Sequence, residues 1–404
     1  MTANILDTLH FIGTNDRNKP FFESNWPLPF GISYNSYLIT DKKTALLDTI
    51  EYGSDRSYME NLARILNGRG LDYLVVLHME PDHAGMIGEL LQRYPLATVV
   101  TNARAIKLME LYFPGIDKNR IREVKEGDSL ELGYHNLQFV MTPMVHWPES
   151  MMAYCTTEKI LFSQDAFGTF GTLDGGIFDD EIDPEYYKEE MLRYYTNIIG
   201  RFSSQVAKSL QKAASLPIKI ICPVHGPVWR TNPEIVFDWY SKWAASQATE
   251  GVVLAYATMY GHTQRTADYI ARRLALNGVR NIRVFDVSKT HPSFILKEIW
   301  KYNGLVLGSC SYNTGMHPAM HQLCNEIEIM QPGRKKVFLF GGYSWSGGGL
   351  KNLQLFAQKM AEQHKWELSA PGTELAGYPT LQGLESLDDD LATFAKILKT
   401  KTTQ

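Results

Sequence analysis

The sequence predicts an α/β protein with two domains: an αββα sandwich over residues 1–249 and a doubly wound parallel sheet over residues 250–404. Three observations support this prediction. A chain of 404 residues is too long for one ordinary hydrophobic core. The first part mixes hairpin patterns, buried strands and amphipathic helices, as expected of sheets covered by helices. The second part alternates strand and helix with little else, which is typical of a parallel sheet.

In the first domain, the pattern at Tyr34–Thr49 predicts a hairpin whose polar turn lies at Asp41–Lys43. The continuous apolar run Leu71–His78 predicts a strand that is buried on both faces. Gln247–Gly251 is the predicted linker between the domains. The other predicted elements are helices at Arg56–Leu66, Ala103–Tyr112, about Pro184–Ala214 and Pro233–Ser246, and strands at Ile121–Val124, Leu130–Leu132, Leu137–Met141, Met151–Cys155, Lys159–Ser163 and Ile218–Gly226.

In the second domain, five predicted strands alternate with five predicted helices, which is the count expected of a doubly wound sheet. The strands are Val252–Ala257, Asn281–Val287, Leu305–Cys310, Lys336–Gly342 and Glu367–Ala370, and the helices are Thr263–Leu276, Pro292–Tyr302, Pro318–Ile329, Leu350–His364 and Leu387–Lys399.

Composition and charge argue against several classes of function. The chain is 44% hydrophobic and 21% charged, as soluble globular proteins are. Its net charge of −4 argues against a nucleic-acid binder, which would carry a basic patch. No stretch reaches the roughly 18 apolar residues that span a bilayer, and the start lacks the basic and apolar regions of a secretion signal. We therefore expect a cytoplasmic protein that binds no membrane.

The four cysteines are widely scattered and form no CxxC pair. This spacing fits neither a disulfide scaffold nor a zinc or iron–sulfur site, which again indicates a reducing cytoplasm. Because the chain has no four-cysteine iron centre, any electrons that enter must come from a separate donor. The cysteines are Cys155, Cys222, Cys310 and Cys324.

Seven side chains of metal-ligating types follow apolar runs in the first domain. Four of them lie in HMEPDH, directly after the predicted strand Leu71–His78, and three follow the runs FVMTPMV, ILFSQ and IKIICPV. Loops that leave strand ends are where rigid scaffolds present chemistry, so all seven should project from one edge of the sheets. A single such residue usually serves as a turn or cap residue, but seven coincidences weaken that interpretation. The residues are His78, Glu80, Asp82, His83, His146, Asp165 and His225.

This pattern resembles the metallo-β-lactamase superfamily and, within it, the flavodiiron proteins. Zinc hydrolases of the superfamily carry HxHxDH, whereas Glu80 occupies the second histidine position here. A carboxylate is a hard, anionic ligand that suits iron, while imidazole-rich sets favour zinc. The resemblance implies one iron held by His78, Glu80 and His146, a second held by Asp82, His83 and His225, and Asp165 bridging them.

The segment WPES directly follows His146. Trp147 or Glu149 could orient the ligands or donate hydrogen bonds to them from outside the metal site. Packing of the tryptophan beneath the loop is an equally good interpretation, and both stay open.

The first predicted strand of the second domain ends in the loop TMYGHT, which opens a predicted helix. A helix N-terminus attracts a phosphate because its N–H groups lack partners and its dipole is positive there. Thr258 and Thr263 can bond the phosphate, and Gly261 lets the backbone approach it closely. The loop alone is weak evidence, because many turns share its pattern.

Two further loops strengthen the case for a flavin. The third strand ends in GSCSYNTG and the fourth in GGYSWSGGG, and such strand ends border the ligand crevice of a doubly wound sheet. Small residues leave room for a ring system, and Tyr312, Tyr343 and Trp345 offer flat faces or edges to it. The loops resemble the FMN site of flavodoxins, although His262 stands where that pattern usually has Asn or Thr. The predicted FMN-binding residues are Thr258, Met259, Tyr260, Gly261, His262, Thr263, Ser309, Cys310, Tyr312, Asn313, Thr314, Gly342, Tyr343, Trp345, Ser346 and Gly347.

The resemblance covers both domains in order: a metallo-β-lactamase-like domain and then a flavodoxin-like domain. It implies an oxidoreductase that reduces dioxygen to water, nitric oxide to nitrous oxide, or both, at two irons supplied with electrons by FMN. The implied external donor is rubredoxin or a reduced deazaflavin coenzyme. The family also implies a head-to-tail homodimer or a dimer of dimers, with the Trp345 loop at a subunit interface.

Two other functions stay open. One is a zinc-dependent hydrolase fused to a flavodoxin electron carrier, against which Glu80 argues. The other is a non-catalytic flavin redox sensor. No GxGxxG follows a predicted strand and no GxSxG is present, so neither a nicotinamide site nor a serine hydrolase is predicted. The choice between dioxygen and nitric oxide is expected to depend on pocket residues within Phe21–Tyr34 or near Tyr195. Surface or structural roles are expected for His10, His135, His291, His317, His321 and His364.

Overall fold

The computed structural model describes residues 1–400, so residues 401–404, at the end of the predicted second domain, lie outside the described range. The chain forms two compact units, Met1–Ala244 and Ala245–Gln404. Every helix within the described range is too short or too polar to cross a membrane.

The first unit contains two β-sheets that share one hydrophobic core. Tyr37 and Val75 from one sheet and Phe139 and Phe162 from the other are buried in the same cluster. The predicted αββα sandwich is therefore confirmed. The spatial order of the strands in the first sheet is β1 (Thr2–Leu6), β2 (Leu9–Asp16), β5 (Ile32–Thr40), β6 (Thr44–Leu47), β7 (Tyr73–Val75), β8 (Thr98–Thr101) and β9 (Ile121–Glu123). The order in the second sheet is β10 (Ser129–Glu131), β11 (Asn136–Met141), β12 (Met151–Cys155), β13 (Ile160–Gln164) and β14 (Ile220–Pro223). A separate hairpin is formed by β3 (Phe21–Phe22) and β4 (Trp26–Pro27).

Helices accompany these sheets along the chain. They are α1 (Tyr58–Leu66), α2 (Pro81–Ala84), α3 (Ile87–Arg93), α4 (Ala103–Tyr112), α5 (Pro184–Tyr194), α6 (Ser203–Ala214) and α7 (Glu234–Ala244). The predicted helical stretch at about Pro184–Ala214 is helical throughout, but it is not a single regular α-helix. A π-helical turn at Tyr195–Ile199 and a 3-10 turn at Gly200–Phe202 separate α5 from α6. This stretch holds three β-branched residues and a glycine, which are weak helix formers.

The second unit is a parallel sheet accompanied by helices. Counted along the chain, its strands follow the order 2-1-3-4-5, which is that of a flavodoxin-like doubly wound sheet and confirms the prediction. The strands are β16 (Ile282–Asp286), β15 (Thr249–Ala257), β17 (Tyr302–Tyr312), β19 (Lys336–Tyr343), β20 (Glu367–Leu368) and β21 (Thr373–Ala376), with β18 (Gly315–Met316) paired to the end of β17. The helices are α8 (His262–Leu276), α9 (Pro292–Lys301), α10 (Pro318–Met330), α11 (Gly349–His364), α12 (Leu381–Glu385) and α13 (Asp388–Lys399).

Two predicted boundaries need correction. The predicted linker Gln247–Gly251 is wrong in its last three residues, because β15 begins at Thr249, which pairs with Tyr302. The predicted fifth strand Glu367–Ala370 is also too simple. The edge of the sheet is formed by two short strands, β20 and β21, which pair with opposite ends of β19.

Candidate functional site

The seven predicted metal ligands lie together at one end of the first unit. Strands β13 and β14 are parallel and Gln164 pairs with Pro223, so the residues that follow them, Asp165 and His225, emerge at the same sheet edge. The HMEPDH segment leaves β7 and enters the short helix α2, with Pro81 in its first turn. All seven side chains are at least nine-tenths buried. They divide into two groups of candidate ligands, which are His78, Glu80, His146 and Asp165 in the first and Asp82, His83 and His225 in the second.

The first group surrounds a space of the size of one metal ion. Glu80 Oε2 lies 3.3 Å from His78 Nε2 and 2.9 Å from His146 Nε2. Asp165 Oδ2 lies 3.2 Å from His78 Nε2 and 3.4 Å from His146 Nε2. Metal–ligand bonds near 2.1 Å in an octahedron give ligand–ligand edges of about 3.0 Å, close to these separations.

The second group repeats this arrangement around the other oxygen of Asp165. Asp82 Oδ2 lies 3.2 Å from His83 Nε2 and 3.3 Å from His225 Nε2. Asp165 Oδ1 lies 3.1 Å from His83 Nε2 and 3.7 Å from His225 Nε2. Asp165 thus presents one carboxylate oxygen to each group, which is the geometry of a bridging ligand.

Several buried polar atoms in the two groups lack a hydrogen bond. Both carboxylate oxygens of Asp82, Asp165 Oδ2 and His225 Nε2 are in this position. Leaving such atoms unpaired away from water is costly, and a metal ion beside each group would satisfy them. Three carboxylates with four imidazoles form a donor set that suits iron. The residues present therefore fit a pair of iron ions.

The histidines and carboxylates also perturb one another electrostatically. Burial lowers the pKa of His78, but Asp165, Glu149 and Glu80 outweigh burial and raise that pKa to about 9. Burial raises the pKa of Asp82, but His83 and His225 hold it well below its usual value. Metal ions must therefore compete with protons for the imidazole nitrogens.

Neighbouring groups orient the ligands. His78 Nδ1 donates to Glu149 Oε1 at 2.8 Å, and His225 Nδ1 donates to the Ser33 carbonyl at 2.6 Å. Each bond leaves Nε2 free to face the centre. The Tyr194 hydroxyl donates to Asp165 Oδ1 at 2.9 Å. Of the two candidates in WPES, Glu149 holds His78, while the Trp147 ring packs perpendicular to the His78 ring at 5.2 Å.

Tyr194 and the Ser33 carbonyl were not found from the sequence. A backbone carbonyl leaves no residue-type signal at all. Tyr194 lies in a segment with several tyrosines, and nothing in the pattern distinguishes it from its neighbours.

The six histidines expected to have surface or structural roles belong to neither group within residues 1–400. His291 and His317 act as helix N-caps, since each Nδ1 accepts from a backbone N–H two residues later. His135 is buried and its Nδ1 lies 3.0 Å from Asp41 Oδ2.

The three loops predicted to bind FMN lie along one edge of the second sheet. Strands β15, β17 and β19 are neighbours, with Ala257 paired to Ser309 and Cys310 paired to Gly342. In the first loop, the Gly261 N–H donates to Thr258 Oγ1 at 3.0 Å, and Gly261 has a φ of +86°, which favours glycine. Helix α8 begins directly after it at His262, so the helix N-terminus points its N–H groups at this loop.

The side chains of these loops divide into an exposed set and an internal set. Tyr260 and Trp345 are 86% and 77% exposed, which is unusual for aromatic residues of this size. Ser309 is internal: its hydroxyl accepts from the His317 N–H and donates to the Cys310 carbonyl. Also exposed are Met259, His262 and Tyr312, and also partly or fully buried are Thr263, Cys310, Gly342, Tyr343 and Ser346.

Glycine is required where the second and third loops meet. A Cβ on Gly348, whose φ is +138°, would lie 2.0 Å from the Thr314 carbonyl oxygen. A Cβ on Gly347 would lie 2.7 Å from Glu374 Oε2, and one on Gly342 would lie 3.1 Å from Thr263 Oγ1. Asn313 and Thr314 themselves have left-handed backbone angles. A larger residue at Gly348 would therefore displace the second and third loops from one another, whereas at Gly347 the Glu374 side chain would have to move.

Glu374 was not found from the sequence, because the strand that carries it, β21, was not predicted as a separate element. Glu374 Oε1 accepts from the Ser311 hydroxyl at 3.3 Å and from the Leu350 N–H at 3.4 Å. It therefore ties the second and third loops to the start of α11.

Comparison with known proteins agrees with this division of the chain. Residues 32–226 match a family described as ODP family beta lactamase, and residues 254–386 match the flavodoxin family. The anaerobic nitric oxide reductase flavorubredoxin of Vibrio vulnificus is 33% identical over 358 residues, which cover 87% of this chain and 72% of that protein.

Solved structures resemble the whole chain. Rubredoxin oxygen:oxidoreductase from Desulfovibrio gigas is 28% identical with a TM-score of 0.93 and 99% of both chains covered. A variant of the flavo di-iron protein from Thermotoga maritima is 26% identical with a TM-score of 0.89, also over 99% of both chains.

Proposed function

The chain belongs to the flavodiiron protein family, and we propose that it is an oxidoreductase that reduces dioxygen, nitric oxide or both at two irons. The observation that carries this proposal is the position of Asp165, whose two oxygens face two separate groups of ligands. The proposed ligands are His78, Glu80 and His146 for one iron, Asp82, His83 and His225 for the other, and Asp165 for both.

Bound FMN and the two irons supply the redox chemistry, because flavin hydroquinone holds two electrons and two ferrous ions hold one each. Four electrons and four protons convert dioxygen to two waters. Two electrons and two protons convert two nitric oxide molecules to nitrous oxide and one water. The four electrons that reduced FMN and two ferrous ions hold together are therefore enough for either reaction.

The chain's own residues position this chemistry and keep water away from it. Glu149 and the Ser33 carbonyl fix the imidazoles of His78 and His225 with Nε2 towards the centre. Tyr194 holds the bridging carboxylate of Asp165. Because the candidate ligands are almost completely buried, bulk water has little access to the site.

We propose that FMN binds at the loop edge of the second unit, with its phosphate at Thr258–Thr263 and its ring between the other two loops. The turn at Gly261 and the N-terminus of α8 support the phosphate position. The exposed rings of Tyr312 and Trp345 support contacts to the flavin or to a second subunit. The second subunit would be that of a head-to-tail homodimer or a dimer of dimers.

The proposed electron donor is a separate rubredoxin or a reduced deazaflavin coenzyme, and the proposed location is the cytoplasm. All four cysteines are free, buried and distant in the sequence, which supports a reducing compartment. The structural relative from Desulfovibrio gigas is named for rubredoxin, which supports that donor.

Metal analysis combined with gas consumption tests the proposal. The purified chain should contain two irons and one FMN, and the chemically reduced enzyme should consume nitric oxide or dioxygen. Separate anaerobic nitric oxide and aerobic dioxygen assays on one preparation would show the preferred substrate. Zinc in place of iron, together with no gas consumption, would contradict the proposal and favour the hydrolase.

A further inference from the structure

A small hairpin, formed by β3 and β4, lies against the candidate metal site. Phe22 pairs with Trp26 across it, and Phe21 pairs with Pro27. Because side chains alternate along a strand, the two phenylalanines point to opposite faces. Phe22 is 2% exposed, whereas Phe21 is 43% exposed.

The buried ring of Phe22 contacts the second group of candidate ligands. Its centroid lies 5.8 Å from the His225 ring in a perpendicular arrangement. It also lies 5.7 Å from the Phe170 ring and 6.2 Å from the ring of Tyr194, which holds Asp165. Phe22 therefore belongs to an aromatic wall on the His225 side of the site.

The tip of the same hairpin reaches the first group of ligands. Glu23 lies close enough to Glu80 and His146 to interact with both electrostatically, and Glu23 Oε2 accepts from the indole N–H of Trp26 at 3.1 Å. Two consecutive residues, Phe22 and Glu23, thus lie beside candidate ligands of both groups. Glu80, Asp82 and His146 are the ligands that keep any solvent exposure, so the hairpin lies beside the opening of the site.

Contacts of Arg193 and a backbone hydrogen bond at its base hold the hairpin in place. The guanidinium of Arg193 donates to the Pro27 carbonyl at 2.9 Å and lies over the Phe170 ring at 4.4 Å. The Leu28 N–H donates to the Pro20 carbonyl at 3.0 Å and closes the base of the hairpin. The aromatic wall is therefore held by both polar and apolar contacts.

We propose that Phe22 determines ligand specificity: its ring closes the His225 side of the site, so that the metal pair admits a neutral diatomic gas and rejects anions and larger ligands. This inference rests on the di-iron function proposed above. A neutral diatomic molecule needs neither a counter-charge nor a hydrogen-bond donor. An anion next to this apolar wall would have to give up part of its hydration shell to a ring that offers it no hydrogen bond.

Azide binding to the oxidised, iron-loaded enzyme tests the proposal, with visible absorption as the readout. Phe22→Ala should lower the dissociation constant for azide about tenfold or more, since a pocket contact of even one methylene changes discrimination by about 10–200-fold. Phe22→Leu, which keeps an apolar side chain and protects folding, should lower it less. Phe21→Ala is the matched control, because it changes the same hairpin on its exposed face, and should bind azide as the wild type does.

Iron and FMN contents and wild-type gas consumption are measured on the same preparations. A wild type without two irons or without gas consumption would overturn the proposed function itself. If wild type and variants hold two irons and the wild type consumes gas, unchanged azide binding in both Phe22 variants would overturn the role of Phe22. If Phe22→Ala loses iron, the Phe22→Leu variant decides the question.

Discussion

Replacing Glu149 by Ala removes the outer support of the first metal group. Glu149 Oε1 accepts two bonds, from His78 Nδ1 at 2.8 Å and from the Met79 N–H at 3.1 Å. Burial raises the pKa of Glu149, but His78 outweighs burial and keeps that pKa below its usual value, so the acceptor is ionised at neutral pH. A hydrogen bond to such an acceptor contributes about 1.5–3 kcal/mol.

Loss of an outer partner of this kind lowers metal affinity by about 10–100-fold. Because the second group keeps its own ligands, Glu149→Ala should lower the iron content from two towards one per chain as a ferrous chelator is added. Glu149→Gln, which keeps the shape and an oxygen acceptor but loses the charge, should fall between Glu149→Ala and the wild type.

The assay is iron per chain, with FMN absorbance as an internal reference, across a series of chelator concentrations. Glu110→Ala serves as the control, because it also removes a glutamate, but one whose exposed ion pair with Lys118 includes no candidate ligand. Retention of both irons by Glu149→Ala at every chelator concentration that the wild type withstands would refute the orienting role.

Three further predictions concern the bridge, the flavin loop and pH. Asp165→Ala should lose both irons and gas reduction while keeping its FMN absorbance, and retained turnover would contradict the bridging role. Thr263→Ala should lose FMN on gel filtration with its iron unchanged, and an undiminished flavin absorbance would contradict the phosphate position. Burial lowers the pKa of Lys335 to about 7, so the unfolded chain binds more protons above that pH and stability should rise with pH. In urea melts, the gain in unfolding free energy between pH 7 and pH 9 should be about 2 kcal/mol smaller for Lys335→Met than for the wild type. An equal gain in both proteins would argue against the lowered pKa of Lys335.

The fold could be predicted largely because its strands are short apolar runs with clear ends. The alternation after Val252 predicts the parallel sheet of the second unit, whose strand order the structure confirms. The same strand ends made the candidate ligands visible: Asp165 is the first residue after β13, His225 is the second residue after β14, and parallel strands bring such residues to one edge. Here the local pattern and the tertiary arrangement agree, so the sequence was sufficient.

The sequence was insufficient where a contact depends on a distant partner. Phe22 and His225 are far apart in the chain, and no local pattern indicates that their rings meet. Glu374 holds the flavin loops from a four-residue strand whose side chains are not regularly buried, so periodicity cannot identify it. The change from α-helix to a π-helical turn and a 3-10 turn between α5 and α6 could not be predicted either, since helix propensity there is weak and packing decides the outcome.

The interruption between α5 and α6 lies directly after Tyr194, the residue that donates to Asp165. A regular helix separates consecutive side chains by about 100°, so it rarely buries a long run of residues on all sides. Here Tyr194 and the π-helical turn Tyr195–Ile199 are entirely buried. Single π-helical turns are uncommon and frequently lie at functional sites. In this chain the turn begins directly after the residue that donates to Asp165, and Tyr195 bonds instead to Ser203 at the start of α6. Two adjacent tyrosines at this irregularity thus serve different partners, one at the candidate metal site and one in the helix that follows.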